Sequence, residues 1–104
     1  MKLPKKIKIG PKTYAVVVSD VLKYNSFKAT HNYDKSLIQV EENHPPGVDL
    51  VDSLWHEILH GLFDQYEIKT PEEEQFVSCL AHGITAIFVD NPKFIDFCRK
   101  EAKK

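Results

Sequence analysis

Apolar residues recur at intervals of three and four through the second half of the chain, which is the pattern of helices that bury one face. The first such stripe predicts a helix over residues 48–66 and consists of Val51, Leu54, Trp55, Ile58, Leu59, Leu62 and Tyr66. The second predicts a helix over residues 71–89 and consists of Phe76, Val77, Leu80, Ile84, Ile87 and Phe88. A third, shorter helix is predicted over residues 92–100, with Asn91 as its N-cap.

The first half of the chain has the residue types and turn signals of β-strands. Residues 6–9 and 14–18 are predicted to pair around Gly10-Pro11-Lys12, and residues 27–31 and 37–40 around residues 32–35. A short helical turn is predicted over residues 21–24. The expected fold is therefore α+β: a small, mostly antiparallel sheet (about residues 1–45) packed on a three-helix core (about residues 48–100), in a single domain over residues 1–104.

Composition and charge narrow the class of protein. The 104 residues are 42% hydrophobic, which is enough for one compact core, and the formal net charge of -1 provides no attraction for nucleic acid. No apolar run approaches the roughly 18 residues of a membrane span, and no signal-peptide stretch follows the Lys-rich start. We expect a cytoplasmic protein without a nucleic-acid or membrane partner. Cys79 and Cys98 are expected to be small buried residues.

The run His56-Glu57-Ile58-Leu59-His60 is the most informative motif in the chain. Residues four apart lie on the same side of a helix, so His56 and His60 can present two imidazoles to one metal ion. Both lie just past the edge of the apolar stripe, and Glu57 is expected further round, toward solvent. This spacing predicts a Zn²⁺ site of the zincin type, with Glu57 as the general base for the attacking water.

A catalytic zinc site needs a third protein ligand, which must come from a residue downstream of His60. One zincin branch uses a downstream His after a Gly, but those positions hold Tyr66 and Phe63, which excludes that branch. Another branch takes a Glu from the next helix, where this chain has Glu72, Glu73 and Glu74 in succession.

The start of the second helix separates these three glutamates. Thr70 is expected to be the N-cap, and Glu73 then occupies the capping-box position. Glu72 lies in the first turn, where the helix dipole favours a negative charge. Only Glu74 has no structural task, so we expect it to be the third ligand, with Glu73 as the alternative.

These residues resemble a known family. The segment from His56 to Gly61, the acidic residue three before Val77, and the strings Leu80-Ala81-x-Gly83 and Asp90-Asn91-Pro92 are similar to the small phage- and prophage-encoded zincin-like proteins related to ImmA/IrrE metallopeptidases. The resemblance covers about residues 51–92. It implies His56, His60 and Glu74 as metal ligands and Glu57 as general base, and for a phage protein it implies the host cytoplasm. The chain departs from this pattern at His82, where Asn is frequent.

The sequence thus supports three classes of function. The first is a zinc-dependent metallopeptidase that hydrolyses a peptide or protein substrate. The second is a non-catalytic zinc-binding or protein-interaction module, and the third is a regulator that binds a host protein without metal.

Several further residues are candidates for parts of a peptidase mechanism. Residues 36–40 are expected to form an edge strand that holds an extended peptide. Asp52, one turn before His56, is a candidate either to orient an imidazole or to interact with the helix dipole. The candidates for stabilising the oxyanion are Tyr24, His31, Tyr33, His44 and His82.

Overall fold

Four strands and three helices make up the described part of the chain, which is a computed structural model covering residues 2–19, 29–32 (backbone only) and 36–104. In chain order the elements are β1 (Lys6–Ile9), β2 (Lys12–Ser19), β3 (Ala29–Asn32), β4 (Leu37–Glu41), α1 (Val48–Gln65), α2 (Glu73–Asp90) and α3 (Pro92–Ala102). The prediction of an α+β fold with a small sheet is confirmed. The turn predicted over residues 21–24 lies outside the described residues.

The sheet is mixed, with the strand order β1-β2-β4-β3. β1 with β2 and β3 with β4 are antiparallel pairs, whereas β2 and β4 are parallel, with Val16 opposite Ile38 and Val18 opposite Val40. β4 is therefore an inner strand, and the expectation that residues 36–40 form an edge was wrong. The reason is that β4 pairs with β2 on one side and with β3 on the other, a long-range pairing that the sequence of the strand does not encode.

A tight turn at Gly10-Pro11 joins β1 to β2, as the sequence predicted. Gly10 has φ 59°, a left-handed conformation that a residue without a Cβ adopts at little cost. The side chain of Gln65, the last residue of α1, covers this turn and donates a hydrogen bond to the carbonyl oxygen of Ile9. The end of α1 is thereby fastened to the hairpin.

One face of the sheet packs against α1. Alternate strand residues point to this face, and the fully enclosed set is Ile9, Tyr14, Val16, Ile38 and Val40. Along α1 the matching positions are Leu50, Leu54, Ile58 and Leu62. Gly61 lies where helix and hairpin approach most closely, because a Cβ there would stand 3.1 Å from Cδ1 of Ile9.

On its other side α1 packs against α2, and α3 contacts α2. The buried centre of the α1–α2 layer is Leu59, Val77 and Ala81. Four residues of the apolar stripe predicted for α2 are instead 42–49% exposed: Phe76, Leu80, Ile87 and Phe88. Because α2 is covered mainly along one narrow face, its wide apolar stripe is only partly enclosed. Cys79 on α2 and Cys98 on α3, a helix without buried residues, are exposed free thiols, contrary to expectation.

The helix ends lie within two residues of the predicted bounds. α2 begins at Glu73, two residues later than expected, after a turn at residues 71–72. Asn91 precedes α3 as predicted, but its side chain donates back to the carbonyl oxygen of Ile87 in α2 and does not cap α3. None of the helices in the described part of the chain combines the length and apolar character that a membrane crossing requires.

Candidate metal centre

Among the described residues, one group of metal-ligating side chains converges, and it consists of His56, His60 and Glu74. The Glu74 carboxylate lies between the two imidazoles, with Oε1 2.8 Å from Nε2 of His56 and Oε2 2.9 Å from Nε2 of His60. The two Nε2 atoms are 3.2 Å apart. Three predicted ligands from two helices therefore meet at one point.

The spacing of these atoms is suited to a zinc ion. Ligands at 2.0–2.1 Å in a tetrahedral arrangement are separated from one another by about 3.3 Å. The separations of 2.8–3.2 Å in this group are slightly shorter, so a small outward movement of flexible side chains makes room for the ion. Two imidazole nitrogens and one carboxylate oxygen also match the donor set of catalytic zinc sites, which keep a fourth position open.

Glu73 takes part in this centre through His60. Its Oε2 lies 2.7 Å from Nδ1 of His60, so Nδ1 carries a proton and donates a hydrogen bond to the carboxylate. In the neutral ring this leaves the lone pair of Nε2 directed at the common point. A carboxylate behind a ligating histidine is the usual means of fixing its ring orientation.

The capping-box role expected for Glu73 was therefore wrong. Thr70 does accept a hydrogen bond at the start of this region, from the backbone N–H of Glu72 at 3.3 Å. Its hydroxyl donates to the Glu72 carboxylate at 2.7 Å. Because Glu72 takes the contact with Thr70, Glu73 is left to reach α1.

Glu57 is 6% exposed, so the expectation that it projects toward solvent was also wrong. On the helix it projects between the side that carries His60 and the side that carries Gly61, which contacts the hairpin. α1 also packs against β3. The apolar stripe of α1 alone therefore misplaces Glu57, because burial depends on the elements that pack across the helix and not only on its own pattern.

Asp52 does not orient an imidazole of the metal group. Its Oδ1 lies 2.7 Å from Nδ1 of His82 on α2, and that histidine is largely exposed. His44, in contrast, is buried and donates from Nδ1 to the carbonyl oxygen of Pro45, while its Nε2 accepts from the Ser53 hydroxyl. His44 thus has a structural role, and Tyr24, Tyr33 and the side chain of His31 lie outside the described part of the molecule.

Comparison with protein-family models, with curated proteins and with solved structures finds no significant match for this chain. The resemblance to ImmA/IrrE-related proteins therefore stays a prediction, and the argument for function depends on the site itself.

Sequence reasoning missed two partnerships, Glu73 with His60 and Asp52 with His82. The adjacency of Glu73 and Glu74 contained a signal for the first one. Neighbouring residues on a helix project about 100° apart, so two successive carboxylates can approach one imidazole from two directions. The second pairing depends on the register between α1 and α2, which no local pattern specifies.

Proposed function

We propose that this protein is a zinc-dependent peptidase of the zincin type, with His56, His60 and Glu74 as metal ligands. The observation that carries the proposal is that each imidazole Nε2 lies within 2.9 Å of a Glu74 carboxylate oxygen and 3.2 Å from the other Nε2, with both histidines on the helix that also holds Glu57. A structural ion pair would need one histidine and one carboxylate. Two imidazoles that direct Nε2 at the same point, with a carboxylate between them, are better explained by a cation.

Bound Zn²⁺ would supply a Lewis acid that activates a water molecule and polarises the scissile carbonyl group. The residues of the chain have separate tasks around it. Glu73 holds the ring of His60 in place through Nδ1, and Glu74 anchors the N-terminal turn of α2 to α1. Because these contacts link the two helices, the centre is held on rigid elements.

Glu57 is the residue we assign to proton transfer. As the water oxygen forms its bond to the carbonyl carbon, the Glu57 carboxylate accepts a water proton and then delivers it to the amine that leaves when the C–N bond breaks. Glu57 directly follows His56 and precedes His60 by three residues, so the helix carries it next to both histidine ligands.

The substrate we propose is an extended peptide. β3 is an edge strand of the described sheet and contacts α1, and an edge strand can hold a peptide through main-chain hydrogen bonds. This assignment replaces residues 36–40, which form an inner strand, and keeps the peptide close to α1.

A non-catalytic zinc module is the second candidate, and the burial of Glu57 is the observation in its favour. A general base must reach the reacting water, whereas a carboxylate enclosed by protein can serve folding alone. The variant Glu57→Gln distinguishes the two candidates.

The experiment measures zinc content and hydrolysis together. The purified chain should hold one Zn²⁺, and the double variant His56→Ala, His60→Ala should hold none while keeping its helical circular dichroism. The Glu57→Gln variant should keep zinc and lose at least about 100-fold in turnover of an unstructured peptide library. Glu101→Gln, a matched change at an exposed residue of α3, should leave both unchanged.

Stoichiometric zinc in the double histidine variant would refute the metal centre. Zinc binding with equal, zero turnover by wild type and Glu57→Gln would leave the non-catalytic module as the correct reading. Loss of zinc on changing Glu57 would show that this carboxylate supports the centre structurally.

A further inference from the structure

A cavity of about 330 Å³ lies between the first turns of α1 and the last turns of α2. Its apolar wall consists of Val48, Ala86 and Val89. The two valines are 58% and 56% exposed, so this wall is apolar surface that the fold leaves uncovered. Ligand pockets span roughly 300–1,000 Å³, and this cavity therefore has room for one side chain or one small molecule.

The polar part of the cavity is acidic. Asp49, Asp52 and Asp90 line it, together with His82, and no Lys or Arg does. Asp52 is paired with His82, but within the described residues neither Asp49 nor Asp90 belongs to an ion pair. Asp49 offsets the dipole of α1, whereas Asp90 lies in the last turn of α2, where the dipole disfavours a carboxylate. The cavity thus favours a cation.

Thr85 provides an independent sign that something binds here. This residue lines the cavity and is only 3% exposed, and its hydroxyl has no hydrogen-bond partner in the part of the chain that the structure describes. Leaving a buried hydroxyl unpaired is unfavourable. A ligand with an N–H donor would satisfy its oxygen.

The cavity and the metal centre lie on the same side of α1. Asp49, Asp52, His56 and His60 follow one another at intervals of three and four along α1, so they lie on one side of the helix. The rise from Asp49 to His56 is about 10 Å at 1.5 Å per residue. An extended peptide advances about 3.3–3.6 Å per residue, so the cavity is within about three residues of the metal centre.

We propose that this cavity is a subsite for the cationic side chain, Lys or Arg, of a peptide bound at the metal centre. The methylene stem contacts Val48 and Val89, and the N–H groups meet Asp49, Asp90 and the Thr85 hydroxyl. The inference extends the proposed function, since it specifies the substrate, but binding can be measured without hydrolysis.

The test uses the full chain loaded with zinc and fluorescein-labelled ten-residue peptides of Ala, Gly and Ser. Each peptide has one central Arg, Lys or norleucine, and norleucine retains an apolar stem without the charge. Fluorescence anisotropy should show the Arg and Lys peptides binding at least about 10-fold more tightly than the norleucine peptide. Mass spectrometry of the same mixtures reports cleavage.

The double variant Asp49→Asn, Asp90→Asn should lose this preference, and the same change at Asp96, a carboxylate of α3 paired with Lys100, should keep it. Thr85→Val should bind the Arg peptide about 3-fold more weakly while its melting temperature stays constant or rises, because an unpaired buried hydroxyl is removed. A purely structural Thr85 would not give this combination.

A wild-type protein without the preference, or a double variant that is folded by circular dichroism and keeps it, would overturn the subsite. Competition by free n-butylamine at the affinity of the peptide would assign the cavity to a small amine and refute the peptide. If the preference is present without cleavage, the proposed function fails and the subsite stands. Zinc-dependent cleavage without the preference would refute the subsite and leave the proposed function standing.

Discussion

On the side of α1 that faces the sheet, the contacts join side chains that are almost completely enclosed, with Tyr14, Ile38 and Val40 at 0% exposure. On the side that faces α2, the enclosed centre is smaller, and charged or imidazole groups border it at His60, Glu73 and Asp52. One helix therefore supports the fold on one side and presents polar chemistry on the other. Stability and metal binding should therefore respond to different substitutions.

The largest effect on folding should come from the sheet side. Ile38→Ala removes a fully buried side chain from an inner strand, and the transfer and cavity costs together should lower the free energy of unfolding by about 2–5 kcal/mol. Urea denaturation measures this change. Val18→Ala, at an exposed position of the neighbouring strand, should change it by less than about 0.5 kcal/mol.

Much weaker zinc binding by the folded fraction of Ile38→Ala than by wild type would contradict this separation. That result would mean that the two sides of α1 are coupled through the helix.

A smaller and graded effect is expected on the α2 side. Glu74→Gln should weaken zinc binding by more than about 100-fold because it alters a ligand, and Glu73→Gln by about 10-fold or more because it releases His60 from its hydrogen bond. Glu72→Gln touches only Thr70 and should leave zinc affinity unchanged. Competition with a chromogenic chelator measures all three affinities.

If Glu73→Gln weakens zinc binding more than Glu74→Gln does, Glu73 is the ligand. In that case Glu74 would be the residue that orients the histidines.

The smallest effect is expected at Tyr14, the aromatic residue of the sheet core. Its hydroxyl makes no hydrogen bond of normal geometry to any described residue, although the side chain of Gln65 is near enough to reduce the free-energy cost of burying it. Tyr14→Phe should therefore change the free energy of unfolding by less than about 1 kcal/mol near neutral pH.

The same residue predicts a dependence on alkaline pH. Burial raises the pKa of Tyr14 above its ordinary value of 10.0, so the unfolded chain releases the phenolic proton first. Stability that is fully present below that value is lost as the pH rises through the higher pKa of the folded state. Between pH 9 and 11.5, the free energy of unfolding should fall less steeply with rising pH for Tyr14→Phe than for wild type. Equal slopes for the two proteins would refute the assignment.

Local sequence patterns were sufficient for much of this molecule. The helices and the first hairpin follow from apolar spacing, Gly10-Pro11 and Pro92, because these signals act over one or two turns of chain. The spacing of His56 and His60 likewise places both imidazoles on one side of α1 wherever that helix packs. Glu74 was also the expected third ligand, but the elimination that selected it assumed a capping role for Glu73, and its convergence with the histidines depends on the packing of α2 against α1.

Other features depended on contacts between distant segments, which no local signal encodes. The parallel pairing of β2 with β4 made β4 an inner strand, and Glu57, which the apolar stripe of α1 placed toward solvent, is buried. The register between α1 and α2 gave Glu73 to His60 and Asp52 to His82. Sequence alone thus determined which side chains share a helix face, because the helical repeat is a local property. Tertiary packing decided which of them are enclosed and which meet, because burial and partnership depend on the elements that pack across that face.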